Sequence, residues 1–323
     1  MGKKIEQTFA WSESRVKLLR ECMWKYHLTY HIAWEGWLKN ARQEKRQAYT
    51  LKNMTNFPMW VGSIVHDIIE ETIQHLRKNG DFIPLEDAQS EAVQRMRRGW
   101  LDSMRKRWEH SPKNYINLEE HYYQTLQHDS ETYSKSMLEK KHKVMSCVKA
   151  FYDCPLYDVM KRLKPDDWLS IEEFQKFKLN TGQEVTVKID CGFRYGGKVY
   201  LIDWKTGRVS DSVIDQLVTY AMYALKQGWA KKPEDIIIVP VYLAFLNEMG
   251  SDAMPKLNVT MPMMKRQAEI IRQEYPILEE AHCKKDDSDF FEKTDDEYRC
   301  KRCHFRAMCS GAETEIEDGV TPF

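Results

Sequence analysis

One stretch, VKIDCGFRYGGKVYLIDWKTG at residues 187–207, constrains this chain more than any other. Its central Gly196-Gly197 pair predicts a two-residue hairpin turn, because both central positions of a type I′ turn need a positive φ. Antiparallel pairing from that turn places Asp190 directly opposite Asp203. We therefore expect a β-hairpin that carries two carboxylates side by side on one face.

The two opposed carboxylates predict a metal site. Like charges about 5 Å apart across a strand pair are destabilising, whereas a divalent cation between them turns repulsion into ligation, and oxygen ligands suit Mg²⁺ or Mn²⁺. Lys205 follows Asp203 by two residues and projects from the same face, where an ammonium can orient water or stabilise charge developing on phosphorus. The alternative is an exposed hairpin face, but the apolar strand around Asp203 favours a metal site.

The cysteines indicate a second metal centre. The segment CKRCHFRAMC gives Cys300, Cys303 and Cys309 in a C-x2-C-x5-C spacing. Three soft ligands this close need a fourth from elsewhere to complete a tetrahedral site or a cluster, and the spacing leaves zinc and iron–sulfur open. The chain start lacks the apolar segment of a signal peptide, so we expect a cytoplasmic protein, in which disulfides are rare.

The rest of the pattern indicates an α/β fold. The first two-fifths of the chain is expected to be helical, beginning with one helix from Ser12 to about His31. From Trp168 onward, four segments rich in β-branched and aromatic residues are expected to be strands, with a helix between the third and fourth. We expect one compact unit divided into residues 1–165, 166–250 and 251–323.

Charge gives a weaker indication of function. Lys plus Arg and Asp plus Glu both total 49, so no uniformly basic surface for a polyanion is expected. Basic residues nevertheless concentrate at 95–107, as either a phosphate-binding strip or an ordinary solvated helix face. Trp100 and Trp108 could stack there on the bases of a single strand, with core packing as the alternative. No apolar run approaches the ~18 residues of a membrane span.

The D…(I/V)DWKTG pattern resembles the PD-(D/E)XK core of RecB-like nucleases. Further features resemble that family in the same chain order: the G-x-x-x-H of Gly62 and His66, an acidic residue at Glu172 or Glu173, and the Q-x-x-x-Y of Gln216 and Tyr220.

The resemblance implies a restriction-endonuclease-like mixed sheet with flanking helices, a large helical N-terminal region and an iron–sulfur C-terminal tail. It implies that His66, Asp190, Asp203 and a backbone carbonyl near Trp204 hold Mg²⁺ or Mn²⁺. The implied catalytic residues are Asp190, Asp203, Lys205, Glu173, Gln216 and Tyr220, with Glu172 left open as the alternative to Glu173. The implied activity is a deoxyribonuclease, an exonuclease on single-stranded DNA ends for which endonuclease activity is also compatible.

An early cysteine followed by a late C-x2-C-x5-C resembles the iron–sulfur members of the family, which include the AddB nuclease domain and the RecB-like exonucleases associated with CRISPR adaptation. On this resemblance, Cys22, Cys300, Cys303 and Cys309 bind one [4Fe-4S] cluster, which joins the first helix to the C-terminal tail. Cys283 is the alternative to Cys22.

The resemblance also implies partners. DNA is the expected ligand, and the sequence has no P-loop, so a helicase, recombination or CRISPR partner would be a separate chain. Homo-oligomers are compatible with the sequence, and no membrane contact is expected. Two rival hypotheses are a non-catalytic DNA-end-binding or assembly factor with the same fold, and a nuclease stabilised by zinc in place of iron.

Overall fold

The computed structural model describes residues 9–125, 130–210 and 212–309. They divide into two compact units, each built from separate stretches of the chain. Unit 1 comprises Met1–Glu13, Asn56–Gly99 and Leu126–Ile277, and unit 2 comprises Ser14–Thr55, Trp100–Thr125 and Leu278–Phe323. The division into residues 1–165, 166–250 and 251–323 remains a prediction from the sequence, since local patterns do not show which distant segments share a core.

Helices make up most of the described chain. In chain order they are α1 (Glu13–Glu21), α2 (Met23–His27), α3 (Gln43–Lys52), α4 (Phe57–Asn79), α5 (Leu85–Met104), α6 (Glu119–Tyr122), α7 (Ser130–Asp153), α8 (Pro155–Met160), α9 (Ser212–Lys226), α10 (Leu246–Met249), α11 (Met261–Cys283) and α12 (Glu297–Lys301). A π-helical turn at Leu28–Ile32 follows α2.

Unit 1 contains a mixed sheet of five strands in the order β1-β2-β3-β4-β5. The strands are β1 (Trp168–Lys178), β2 (Glu184–Tyr195), β3 (Lys198–Lys205), β4 (Ile236–Tyr242) and β5 (Leu257–Asn258). Neighbours pair antiparallel except β3 and β4, which are parallel. A parallel pair needs a crossover, and α9 provides it. The predicted α/β class, with a mixed sheet and flanking helices, is confirmed.

The β2–β3 hairpin has the predicted turn. Gly196 and Gly197 adopt φ values of 58° and 76°, as a type I′ turn requires. The ladder pairs Tyr195 with Lys198 and continues to Cys191 opposite Ile202. The predicted register is therefore confirmed. Asp190 and Asp203 are the next residues along the two strands beyond the Cys191–Ile202 pair.

Helix α4 is the central helix of unit 1. The Asn56 side chain caps its start by accepting a hydrogen bond from the Met59 N–H at 3.1 Å, and Gly80 ends it with a φ of 81°. One face is apolar and fully buried, with Val61, Val65, Ile69 and Ile73 all at 0–1% exposure. This buried face fixes the rotation of the helix, and hence the direction of its polar side chains.

Unit 2 departs from the predicted first helix. The helix is broken at Cys22, whose backbone is extended at φ −170° and ψ 115°, and whose sulfur accepts from the Lys25 N–H to start α2. The prediction of one continuous helix from Ser12 to His31 was wrong, because a local hydrophobic pattern does not report such a break. Apolar packing follows it, with Leu28, Leu51 and Phe305 buried in one cluster.

The tryptophans of the basic region are core residues. Trp100 and Trp108 are each only 7% exposed, and their rings pack against His121 at 4.4 Å and Tyr122 at 5.4 Å. Core packing, the alternative for these two residues, is therefore what the structure shows. The predicted stacking on bases was wrong, because a buried ring presents no face to a base.

Three of the six basic residues at 95–107 form ion pairs. Arg95 pairs with Glu71 at 2.6 Å and Glu91 at 2.9 Å, and Arg98 also pairs with Glu91 at 2.7 Å. Further along, Arg107 pairs with Asp102 at 2.9 Å. These ion pairs favour a solvated helix face over a continuous phosphate-binding strip. Within the described ranges, no helix combines the length and apolar character needed to cross a membrane.

The hairpin turn gives a stability prediction. We expect Gly197→Ala to lower the free energy of unfolding by about 1–2 kcal/mol, because a Cβ disfavours a positive φ. Gly197→Asn should lose less, since asparagine tolerates this conformation. Urea denaturation of both variants measures the difference. Equal stability of the alanine variant and the wild type would contradict the assigned turn.

Candidate active site

The hairpin presents two buried carboxylates at its open end. Asp190 is 7% exposed and Asp203 is fully buried. The Trp204 backbone N–H donates to Asp190 Oδ2 at 3.0 Å, which holds that carboxylate across the strand pair. The Trp204 ring is buried against Phe151, with ring centroids 5.4 Å apart. The structure thus shows the Trp204 amide, rather than its carbonyl, in contact with a predicted ligand.

Helix α4 and strand β1 complete the group. His66 Nδ1 lies 3.2 Å from Glu172 Oε1 and 3.5 Å from Asp190 Oδ2. Potential ligand atoms of His66, Glu172 and Asp190 all lie within 4.8 Å of one another. One imidazole and two carboxylates at this spacing provide the hard oxygen and nitrogen donors that suit a divalent cation.

Glu172 enters the site through an uncommon backbone conformation. Its φ is 53°, in the left-handed region that a non-glycine residue seldom occupies inside a strand. Its side chain is only 4% exposed, whereas Glu173 is exposed and accepts a hydrogen bond from Gln175 Nε2 at 2.9 Å. The structure therefore brings Glu172, not the chosen Glu173, to the site. Strand alternation alone could not decide between adjacent residues.

Two lysines face the carboxylates. Lys205 Nζ lies 2.6 Å from Asp203 Oδ2, as its spacing in the sequence predicted. Lys188 Nζ lies 2.5 Å from Glu172 Oε2. The sequence patterns did not single out Lys188 as a site residue. The site thus contains a second ammonium, whose sequence signal is its position two residues before Asp190.

Burial raises the pKa of both carboxyl groups, and the charge of the neighbouring acid raises that of Asp190 further. Burial, followed by the negative charge of Asp203, raises the pKa of Asp190 to about 7. Burial also raises the pKa of Asp203, against the opposing effect of Lys205. Asp203 Oδ1 is buried and accepts no hydrogen bond from the described residues. A buried, incompletely partnered pair of acids fits a cation as its counter-charge.

Helix α9 contributes a tyrosine to this environment. Tyr220 is 3% exposed, and burial together with the charges of Asp190 and Asp203 raises its pKa well above the usual value. Gln216 Nε2 donates to the Tyr220 hydroxyl oxygen at 2.5 Å. The structure thus brings Tyr220 into the electrostatic field of the site. The contact it shows for Gln216 is with Tyr220 rather than with the carboxylates.

Gly62 has a steric role in the same region. A Cβ added there would lie 3.2 Å from the Thr206 hydroxyl oxygen, which is tighter than ordinary contact. Glycine therefore lets α4 approach the loop that follows β3, and His66 lies one turn further along the helix. Glycine at position 62 thus allows the close approach that brings His66, one helical turn later, to the carboxylates.

Unit 2 gathers the four predicted cysteines. Cys22, Cys300, Cys303 and Cys309 line one pocket, together with side chains that include Trp24, Lys25, Leu28, Arg299 and Arg306. The Phe305 N–H donates to Cys303 Sγ at 3.4 Å. The break before α2 turns Cys22 toward the three C-terminal cysteines, which lie nearly the whole chain away in the sequence.

The other cysteines lie elsewhere. Cys147, Cys154 and Cys191 are buried, and Cys283 is exposed. Burial raises the pKa of Cys147 and of Cys154 to about 11, which keeps them as neutral thiols. The structure thus brings Cys22 rather than Cys283 to the pocket.

The carboxylate pair gives a pH prediction for the metal-free protein. The pKa of Asp190 is raised on folding to about 7, so the folded state binds more protons than the unfolded state. The free energy of unfolding should therefore fall as the pH rises from about 4 toward 7, by at most about 1.4 kcal/mol per pH unit. Asp190→Asn should reduce this fall, because only the raised pKa of Asp203 then contributes, and it should raise the melting temperature at pH 7.

Glu173→Gln is the matched control, because Glu173 is an exposed carboxylate beside the site. Thermal unfolding in EDTA at several pH values measures all three proteins, and added Mn²⁺ should stabilise the wild type more than Asp190→Asn. A wild type whose stability is no more pH-dependent than that of Asp190→Asn would refute the buried charge pair.

Comparison with known proteins gives the family. A family model described as the PD-(D/E)XK nuclease superfamily matches residues 10–310, which include the hairpin, α4, β1 and all four cysteines of the pocket. No curated protein matches the chain. The family match extends over most of the sequence, and the chain belongs to the PD-(D/E)XK nuclease superfamily.

Proposed function

We propose that this protein is a metal-dependent exonuclease that hydrolyses phosphodiester bonds at single-stranded DNA ends. Membership of the superfamily implies a nuclease with DNA as its substrate. The observation that carries the proposal is the convergence of His66, Glu172 and Asp190 within 4.8 Å, with the Asp203–Lys205 ion pair next along the hairpin.

In this proposal His66, Asp190 and Asp203 hold Mg²⁺ or Mn²⁺, and Glu172 is a further ligand. The donors fit, since they are oxygen and imidazole groups and one acid carries a raised pKa that a cation would lower. The backbone carbonyl of Trp204 is kept as a proposed ligand. A bound divalent cation would supply Lewis-acid stabilisation of phosphate charge and ionisation of water near neutral pH.

The protein's own groups orient the reactants. Lys205 carries the ammonium nearest Asp203, from where it would orient water and stabilise negative charge developing on phosphorus. The Trp204 N–H fixes Asp190, and Lys188 holds Glu172. Tyr220, fixed by Gln216, would contact DNA or water at the edge of the carboxylates. Burial of these groups makes their electrostatic interactions stronger than they would be in water.

The second candidate function is a DNA-end-binding or assembly factor without catalysis. A protein that only binds DNA needs basic side chains that face the phosphates. It does not need two buried acids whose mutual repulsion lowers its stability. The raised pKa of Asp190 shows that this cost is present. The arrangement therefore favours catalysis.

We also propose that Cys22, Cys300, Cys303 and Cys309 bind a [4Fe-4S] cluster. The four thiols line one pocket. Four thiolates can also hold zinc, but the order of these cysteines in the chain resembles that of the iron–sulfur members of the family, which supports the cluster.

The remaining proposals concern location and partners. A cytoplasmic location would keep the thiols reduced and available as ligands. Any strand-separating activity would come from a separate helicase, recombination or CRISPR partner, because the sequence has no P-loop. Endonuclease activity and self-association are compatible with the fold.

Hydrolysis is tested with end-labelled single-stranded and duplex DNA in Mn²⁺, Mg²⁺ or EDTA. The wild type should degrade single strands from an end in either metal, and the labelled end gives the polarity. Lys205→Ala should slow this about 10²- to 10³-fold by loss of charge stabilisation. Lys149→Ala, an exposed lysine that pairs with Asp153, should act as the wild type. Intact DNA that is bound with every metal would establish the assembly-factor function instead.

The cluster is tested on protein purified without oxygen. The wild type should be brown, absorb near ~400 nm and contain iron and acid-labile sulfide. Cys300→Ser should lose most of the iron, whereas Cys283→Ser should keep it, because Cys283 is exposed and outside the pocket. Colourless wild-type protein with one zinc per chain would show that the zinc alternative holds.

A further inference from the structure

We propose that Phe174 and Lys188 form a nucleobase-binding patch beside the active site. In this inference, which rests on the proposed function, the Phe174 ring stacks on an unpaired base of single-stranded DNA and Lys188 contacts an adjacent phosphate. The Phe174–Lys188 patch would thereby place the nucleotide next to the scissile bond against the sheet.

The sheet register places the two residues together. Phe174 of β1 pairs directly with Lys188 of β2, and Lys188 Nζ lies 5.7 Å from the centre of the Phe174 ring. Phe174 follows Glu172 by two residues and Lys188 precedes Asp190 by two, so both lie on the strand face that bears these ligands. Lys188 is in direct contact with Glu172 at 2.5 Å. The patch is therefore continuous with the active site.

Phe174 has no packing role that explains it. At 76% exposure it is the most exposed of the large apolar side chains in the part of the chain that the structure describes. Phe177, on the opposite face of the same strand, is only 7% exposed and packs on Tyr223 of α9 at 5.9 Å. The core therefore uses one face of β1 and leaves the Phe174 ring available for a ligand.

Two lysines lie on the same strand face as the Phe174 ring, where they could contact the phosphate of a nucleotide. Lys188 keeps 44% of its side chain exposed despite its contact with Glu172. Lys176, two residues beyond Phe174, lies on the same face and pairs with Glu184 at 3.3 Å. The carboxylate of Glu70 on α4 also acts on Lys188. Lys188 is thus the cation between the ring and the acids, and its exposed surface is where a phosphate would make contact.

A nucleobase is the group that this combination selects. Every base has a π-face, so stacking on an aromatic ring holds a strand without regard to sequence. Bases within a duplex are already stacked on both sides, so only an unpaired or frayed base can cover Phe174. The patch thereby gives a structural reason for a preference for single-stranded ends.

Steady-state kinetics on a single-stranded oligonucleotide test the patch. Phe174→Ala should raise KM about 5- to 30-fold, as expected for loss of one base–aromatic stack, with kcat within about twofold of wild type. Phe174→Trp should restore KM. Leu138→Ala, which removes a 51%-exposed apolar side chain elsewhere in unit 1, should change neither value.

Two further experiments identify what the patch binds. Abasic sites near the strand end should raise KM for the wild type but have no added effect in Phe174→Ala. Lys188→Gln should reduce the slope of log Kd against log salt by about 0.7, the contribution of one phosphate contact on a single strand. Binding is measured by fluorescence anisotropy in EDTA, so it does not depend on hydrolysis.

The outcomes separate this inference from the proposed function. If wild-type protein hydrolyses DNA and Phe174→Ala has an unchanged KM and Kd, the patch is refuted and the nuclease stands. If no protein hydrolyses DNA but Phe174→Ala weakens binding, the patch stands without the nuclease. A change in oligomeric state on Phe174→Ala without a change in DNA affinity would make the ring a self-association surface and overturn the patch.

Discussion

The mutual repulsion of Asp190 and Asp203 is the constraint around which unit 1 is organised. A hairpin that places two acids together at a buried edge loses stability unless other groups offset the charge. The Trp204 N–H, the Lys205 ammonium and the His66 imidazole all approach these carboxylates. These three groups offset the repulsion between the carboxylates only in part, because the pKa of Asp190 remains raised to about 7. The remaining cost is the physical reason to expect a cation and a catalytic use.

Much of the surrounding structure positions these groups. The apolar face of α4 sets the direction of His66, and Gly62 allows the helix to approach the loop at Thr206. Glu172 joins them from a position opposite Asp190 on β1, with its backbone in a left-handed conformation. Such a conformation costs energy and persists where surrounding contacts determine it. The bond to His66 and the ion pair with Lys188 are such contacts.

Unit 2 shows the same relation between a local irregularity and a candidate site. The first helical segment breaks at Cys22, which turns that thiol to the pocket shared with Cys300, Cys303 and Cys309. A regular helix through this point would have satisfied the hydrophobic pattern equally well. In both units, a residue that departs from regular secondary structure lies in the candidate site.

Sequence alone determined the parts of the protein that depend on local rules. The Gly196-Gly197 turn fixed the hairpin register, and the register brought Asp190 and Asp203 together, because side chains alternate strictly along paired strands. Tertiary structure was needed to distinguish Glu172 from Glu173, because the pairing of β1 with β2 puts Glu172 beside Asp190 and leaves Glu173 exposed. It also buried Trp100 and Trp108 and paired Arg95 with Glu71 of another helix, because burial and such ion pairs depend on which distant segments pack together.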